Sequence, residues 1–255
     1  LEFRRVLFRS MSDLKSRYHT NLLALGFCEE VSSGKFSPAG ISYTVPKELG
    51  QGIYWVYSQE DLYDIKIHDF LFYKDSFFDF RIPDGCLGIC YYDSISGEEI
   101  SPYRRLAAGC VKSFIGGEPP CKILVHKNIP IRSIDIEITP AYYDKYLKEK
   151  YPTEYIDPHA AFHNIALTDC FPKMVQLLRQ IRDFRGEGVA AKLFYDSKVM
   201  ETLSLIIAYN SRQRKTPPIR ISDDDLRALE NAAAYINDHF NCDISVEQLS
   251  HISCM

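Results

Sequence analysis

The sequence predicts an α+β chain: short antiparallel strands closing into a barrel, then a helical hairpin, then the opening of an all-α helix-turn-helix unit. Three observations carry this. From Gly52 to Ile138 apolar and polar residues alternate between Gly and Pro turns, from Thr139 to Tyr209 the apolar spacing changes to three and four, and after Pro217 and Pro218 two capped helix starts follow in series.

The strand-like stretch resolves into seven runs. Ile53-Tyr-Trp-Val-Tyr57 is aromatic and branched, and Tyr63, Ile65 and Ile67 alternate with Asp64, Lys66 and His68. Phe78, Phe80 and Ile82 alternate with Asp79 and Arg81, and Pro83-Asp84-Gly85 then signals a turn. Residues 86–91, 110–115, 121–126 and 132–138 supply the remaining runs; the last places Ile134, Ile136 and Ile138 on one face and Ser133, Asp135 and Glu137 on the other. Short strands in this number, punctuated by turns, predict a closed or nearly closed antiparallel barrel able to hold one small molecule.

The text then turns helical. Thr139-Pro140 reads as an N-cap followed by proline at the first helical position, with the helix running toward Lys150. Phe171, Met174, Val175, Leu178 and Ile181 mark a second helix stopped by Gly186 and Gly188, and a third extends from Val189 to Tyr209 through Leu193, Val199, Leu203 and Ile206. Two amphipathic helices joined at glycines form a hairpin, a common surface for pairing subunits.

Beyond the prolines, Ser222 with Asp225 forms a hydroxyl cap, and Leu226, Leu229, Ala233, Ile236 and Phe240 repeat at steps of three and four up to a stop at Asn241. Ser245 and Gln248 form a second capping box ahead of Val246, Leu249 and Ile252. The expected divisions are a non-native leader (1–10) with the natural start at Met11, an N-terminal helix and barrel (11–139), a helical region (140–213), a linker (214–221) and a partial helix-turn-helix unit (222–255).

Composition bounds the function. With 46% apolar and 25% charged residues and a net charge of −4, the chain reads as an ordinary globular protein, and no run reaches the length of a membrane span or forms a signal peptide. A cytoplasmic location is expected, and the eight cysteines, which show no Cys-x-x-Cys spacing, are expected to be reduced thiols.

Leu226 to Phe240 followed by Ile244-Ser-Val-Glu-Gln-Leu-Ser-His-Ile-Ser-Cys-Met255 resembles the opening of the AraC/XylS-type DNA-binding domain. In that family a long first helix precedes a "Ser-x-Glu-x-Leu-Ala" helix, and a turn then leads to the recognition helix; Ser250 stands here where alanine is usual. Residues 51–213, including Ser101-Pro-Tyr-Arg-Arg105 and Lys192-Leu-Phe-Tyr195, resemble the sensor half of some such regulators. The resemblance implies a cupin-like barrel that takes an unknown small-molecule effector, a hairpin that pairs two copies as a homodimer, and DNA as the partner of the full-length protein. It also implies a chain cut within its first helix-turn-helix. Ser245, Val246, Gln248 and Leu249 would then lie on the support helix that crosses the DNA backbone, and the base-reading helix would follow Met255. From Arg212 onward five basic residues (Arg212, Arg214, Lys215, Arg220, Arg227) stand against seven acidic ones (Asp223, Asp224, Asp225, Glu230, Asp238, Asp243, Glu247), so the stretch as given is expected to bind DNA weakly.

Candidate sites follow. Of the strand aromatics, Trp55, Tyr57, Tyr63, Phe72 and Tyr91 are the candidate effector-pocket residues, with Phe70 and Phe78 as further candidates, although strand spacing also suits them to plain core. Met174, Leu178, Ile181 and Leu203 are the candidate dimerisation residues. Arg104 and Arg105 can pair with an anionic effector or simply be solvated, and the cluster Arg212, Arg214 and Lys215 can touch phosphates or serve as a solvated linker. His159 and His163 share a helical face without an acidic third ligand, and His68 and His126 lie in strands as the ligands of barrel metalloenzymes do, but with unremarkable spacing. No nucleophile elbow, phosphate loop or dinucleotide fingerprint is present, so no catalytic residue, metal or cofactor is expected. The alternatives kept open are a cupin-like metal-dependent barrel enzyme and a stand-alone small-molecule-binding protein.

Overall fold

A computed structural model of the chain describes residues 14–30, 34–100, 103–117, 121–165, 167–168, 171–213, 222–239 and 243–253. The expected leader and linker, and Phe240, Asn241 and Met255, lie outside the described residues. The chain divides into two compact units, Leu1–Ser211 and Arg212–Met255.

The first unit opens with helix α1 (Leu14–Ala24) and then builds strands β1 (Cys28–Glu30), β2 (Ile41–Thr44), β3 (Gly50–Gln59), β4 (Tyr63–Phe72), β5 (Ser76–Phe80), β6 (Leu87–Ser94), β7 (Gly97–Ile100), β8 (Tyr103–Leu106), β9 (Val111–Ile115), β10 (Cys121–Val125) and β11 (Ile131–Ile138). A π-type helical segment, Ala141–Leu147, runs into α2 (Lys148–Lys150) and is followed by α3 (His159–His163), the two-residue strand β12 (Leu167–Thr168), α4 (Pro172–Asp183) and α5 (Gly188–Gln213). The expected turn at Pro83-Asp84-Gly85 forms, with Cys86 N–H bonded to the Pro83 carbonyl at 3.1 Å and Gly85 at φ 78°, a conformation glycine adopts without steric cost.

The closed barrel expected from the strand pattern is not what forms. The strands separate into two open antiparallel sheets, one ordered β1-β2-β3-β4-β11-β6-β9-β12 and one ordered β5-β10-β7-β8. The chain leaves the first sheet after β4, after β6 and after β9, so β5 pairs with β10 and β7 with β10 and β8. At the edges of the larger sheet β1 has three residues and β12 two.

Each long strand of the larger sheet is covered on both faces. Because successive side chains point to opposite sides, Trp55 and Tyr57 of β3, Tyr63, Ile65 and Ile67 of β4, Leu87, Ile89 and Tyr91 of β6, and Ile134, Ile136 and Ile138 of β11 form one apolar layer. Helices α4 and α5 pack on that layer through Met174, Leu178, Ile181, Tyr195, Val199, Leu203 and Ile206. The two helices run antiparallel: Phe171 stacks on Tyr209 with centroids 4.8 Å apart, Lys198 bonds Gln180 at 2.6 Å, and Phe184 stacks on Phe194 at 3.9 Å.

Two expectations are corrected here. Met174, Leu178 and Ile181 are fully buried and Leu203 nearly so, all within one chain, so they hold the hairpin to the sheet and are not free to join subunits. The outward apolar residues of α5 are Val189 and Leu193, 71% and 65% exposed. Thr139 does not cap a helix with its side chain; its hydroxyl donates to the carbonyls of Asp61 and Leu62 and ties the end of β11 to the turn before β4.

Asp93, the next-to-last residue of β6, fastens α4 by accepting from Arg179 at 2.9 Å and Arg182 at 2.6 Å. Burial alone would raise its pKa, but the hydrogen bonds from Arg179 and Arg182 outweigh that and hold it below the ordinary carboxylate value. A depressed folded-state pKa means that this stabilisation is complete above the unfolded-state pKa of about 3.9 and is lost as pH falls through the folded value. Asp93→Asn is expected to cost about 1 kcal/mol at pH 7, reduced by the exposure of Arg179. In acid denaturation the variant should approach the parent as pH drops below about 4.

The second unit contains α6 (Asp223–Asp238) and α7 (Val246–Ser253), which contact each other. Ser222 accepts from the Asp225 amide at 3.1 Å. Ser245 and Gln248 form the reciprocal pair that defines a capping box: Gln248 N–H donates to the Ser245 hydroxyl at 3.2 Å, and Ser245 N–H donates to the Gln248 side chain at 2.9 Å. Leu229, Ile236 and Val246, expected on apolar faces, are 47%, 42% and 78% exposed. Replacing Ser245 with alanine should cost about 1 kcal/mol and speed amide hydrogen exchange at Gln248 about fivefold.

Candidate functional site

The other face of the larger sheet looks toward the smaller sheet and α1, and the space between them is a cavity of about 260 Å³. Two regions differ in chemistry. Leu22, Phe70, Phe72, Phe78, Ile123 and Val125 provide apolar wall, while Lys66, Cys90, Lys112, Ser133, Asp135 and Glu137 provide a polar floor. Phe114 closes over Gly88, its cross-strand partner, where an added Cβ would collide with the ring.

Register builds the floor. Asp135 of β11 lies opposite Lys66 of β4 on one side and Cys90 of β6 on the other, and Cys90 lies opposite Lys112 of β9. These four residues form one row across the sheet. Lys66 bonds Glu137 at 2.9 Å and Lys112 bonds Glu99 at 2.6 Å, all four side chains being about a tenth exposed or less. Charges this deep persist when each has an opposite partner in bonding range.

Asp135 is different. Its side chain lines the cavity, its Oδ1 is buried with no hydrogen-bond partner, and its Oδ2 is 3.8 Å from His68 Nδ1. His68 Nδ1 is itself 2.6 Å from the Ser133 hydroxyl. Burial lowers the His68 pKa despite the opposing effect of Asp135, so the ring is neutral near pH 7. Burial pushes the Cys90 thiol well above its usual range and Cys121 up to about 12, so both are thiols there. A second unmet group, the Asn21 side-chain nitrogen on α1, is also buried and also lines the cavity.

Of the five candidate pocket aromatics the cavity takes Phe72 alone, together with the further candidates Phe70 and Phe78. Trp55, Tyr57, Tyr63 and Tyr91 have the opposite strand parity and sit under the helices. Their polar atoms are used there: Trp55 Nε1 donates to the Ser37 carbonyl at 2.8 Å, Tyr63 to Asp196 at 2.5 Å, Tyr57 to Gln59 at 2.9 Å and Tyr91 to Asp93 at 3.0 Å. The polar residues of the floor are absent from the sequence-derived set. The signal for them was the alternation in β11, where Ser133, Asp135 and Glu137 share a face opposite three isoleucines.

The other candidates stay apart. His126 pairs with Ser96 at 2.8 Å and Glu98 at 3.3 Å, His159 bonds Asp157 at 2.7 Å, and His163 is exposed. Arg104 and Arg105 are exposed on β8, and Arg212, Arg214 and Lys215 fall where no side chain is described. Ser245, Val246 and Gln248 are exposed on the second unit, with Leu249 partly covered. Cys28, Cys86, Cys90, Cys110 and Cys121 form no disulfide among the described residues. Among the described residues no three His, Cys, Asp or Glu side chains converge as a metal site, and no helix is long and apolar enough to cross a membrane.

No protein-family model matches the chain. No curated protein matches it either. Among solved structures it is similar to apo ToxT from Vibrio cholerae, at 14% identity and a TM-score of 0.40 over 74% of this chain and 69% of that one. It is also similar to the unsaturated fatty acid-bound wild-type ToxT of Vibrio cholerae, at 13% identity and a TM-score of 0.38 over 76% and 70%. A sugar phosphate isomerase of the cupin superfamily from Silicibacter pomeroyi is similar at 9% identity and a TM-score of 0.26 over 43% and 68%.

Proposed function

We propose that the chain belongs to an AraC-type transcription regulator that answers to a small molecule, with the first unit as its sensor and the second unit contributing to its DNA-binding domain. The observation that carries this reading is the cavity: an apolar-walled space with a charged floor, on the opposite face of the sheet that holds the helical hairpin. Support also comes from the sequence likeness at 226–255 and from the two side-chain-capped helices there.

One sheet with two covered faces provides the coupling. A ligand pressing on Lys66, Ser133 or Asp135 displaces the same strands whose other side chains seat α4 and α5, and close packing transmits such shifts. In such a regulator the ligand would favour one arrangement of hairpin and linker, and so one fit of two DNA-binding domains to paired half-sites. A chimera in which residues 11–221 precede a complete AraC-type DNA-binding domain tests this. Reporter expression from that domain's operator should change at least fivefold with a compound that raises the melting temperature of the sensor; an unresponsive reporter with every such compound refutes the reading.

A further inference from the structure

The class of ligand is written in what the cavity leaves unmet. Both floor lysines already bond carboxylates, Lys66 to Glu137 and Lys112 to Glu99. Of the buried charged groups that line the cavity, Lys66, Lys112, Asp135 and Glu137, Asp135 is therefore the one whose charge is not bonded to an opposite charge; Arg81 also lines the space but stands exposed at its edge. Asp135 is 8% exposed and keeps one oxygen without a partner, a costly condition in an interior site. His68 does not supply the missing charge, because burial keeps its ring neutral near pH 7.

An anionic ligand would meet lysines that already bond carboxylates and would leave Asp135 unmatched beside it. A cationic one would match that carboxylate. The wall nearby is aromatic: Phe70 and Phe72 meet edge to face at 5.4 Å, and Phe72 lies 5.6 Å from Phe78. Such faces suit an apolar body and also attract an adjacent cation. On the α1 side, the 9%-exposed Asn21 presents a side-chain nitrogen with no acceptor. A volume of about 260 Å³ holds about a dozen non-hydrogen atoms at interior packing density.

Resting on the regulator reading above, we infer that the cavity binds a small amphipathic amine: an ammonium held by Asp135, an aromatic or branched apolar body against Phe70, Phe72 and Phe78, and a hydrogen-bond acceptor at the far end received by Asn21. The two unmet polar groups and the aromatic wall each match one part of such a molecule. Recognition by a buried carboxylate also gives selectivity, since an analogue without the cation leaves Asp135 unsatisfied.

Titration calorimetry on the whole chain tests this with four probes: tyramine, 2-phenylethylamine, 4-hydroxyphenylethanol and 3-(4-hydroxyphenyl)propionate. Tyramine should bind at least tenfold more tightly than the alcohol or the propionate, and 2-phenylethylamine, which lacks the acceptor, several-fold more weakly than tyramine. Asp135→Asn should cut tyramine affinity at least tenfold while leaving the alcohol within threefold. Asn21→Leu, which removes a buried donor that has no partner and so folds readily, should bring tyramine to the level of 2-phenylethylamine. Ile123→Trp, which fills the cavity, should abolish binding of all four. Propionate binding as tightly as tyramine, or tyramine binding unchanged in Asp135→Asn, overturns the amine assignment. If Ile123→Trp removes that propionate binding, the cavity is still a ligand site and the regulator reading stands. Failure of every probe to bind overturns the amine class, while the reporter chimera separately decides the regulator reading.

Discussion

Glu137→Ala is expected to destabilise the first unit by about 3–5 kcal/mol, because it removes the carboxylate 2.9 Å from the buried Lys66 ammonium while leaving that charge in the interior. The pair itself is not expected to be strongly stabilising. Desolvating two ions offsets most of their attraction, so Lys66→Met combined with Glu137→Leu should recover most of the loss and land within about 2 kcal/mol of the parent. Denaturant unfolding of the two single variants and the double gives a coupling energy directly. A small loss in Glu137→Ala would mean that the floor of the cavity is wetter and less polar-sensitive than its burial indicates.

Leu178→Asp is expected to unfold the first unit outright, costing more than about 5 kcal/mol, because a fully buried side chain between hairpin and sheet becomes an unpaired carboxylate. Leu178→Ala should cost about 2–5 kcal/mol through the cavity it leaves. This outcome separates core from interface. Were Leu178 a subunit contact, the aspartate variant would stay folded and change only its oligomeric state, which circular dichroism with sedimentation velocity distinguishes.

Much of the architecture was legible in residue spacing. The positions of β3, β4, β6 and β11, the turn at Pro83-Asp84-Gly85, the helices α4 and α5, and both capped helices of the second unit follow from periodicity and capping chemistry that act over a few residues. What escaped was the pairing of distant strands. Nothing local to Ser76–Phe80 says that it leaves its sequence neighbour β4 and joins β10, so an open two-sheet arrangement and a closed barrel read alike along the chain.

The site is only partly legible in the sequence for a related reason. Alternation tells which residues share a face, but not what covers that face. Trp55, Tyr63 and Tyr91 share a face with the isoleucines of β11, and large aromatics suggested a pocket; that face is covered by α4 and α5. The polar face, which in a sheet with one wet side would meet solvent, is enclosed by the smaller sheet and α1. Lys66, Asp135 and Glu137 were thus visible as a set whose setting was not. Likewise the apolar stripes of α4 and α5 suggest a surface for a second subunit along the sequence, whereas the sheet occupies them in the fold.

Ligand is expected to enter between the two sheets and to act through the strands beneath the hairpin. Methyl-resolved NMR of the whole chain with a compound that raises its melting temperature decides this, since the two faces carry different methyl groups. The largest shifts are expected at Leu22, Ile123, Val125 and Ile131 of the cavity wall, with smaller transmitted shifts at Ile134 and Ile136. Shifts centred on Leu178, Val199 and Ile206, with Ile123 and Val125 unmoved, would place the ligand on the hairpin face instead.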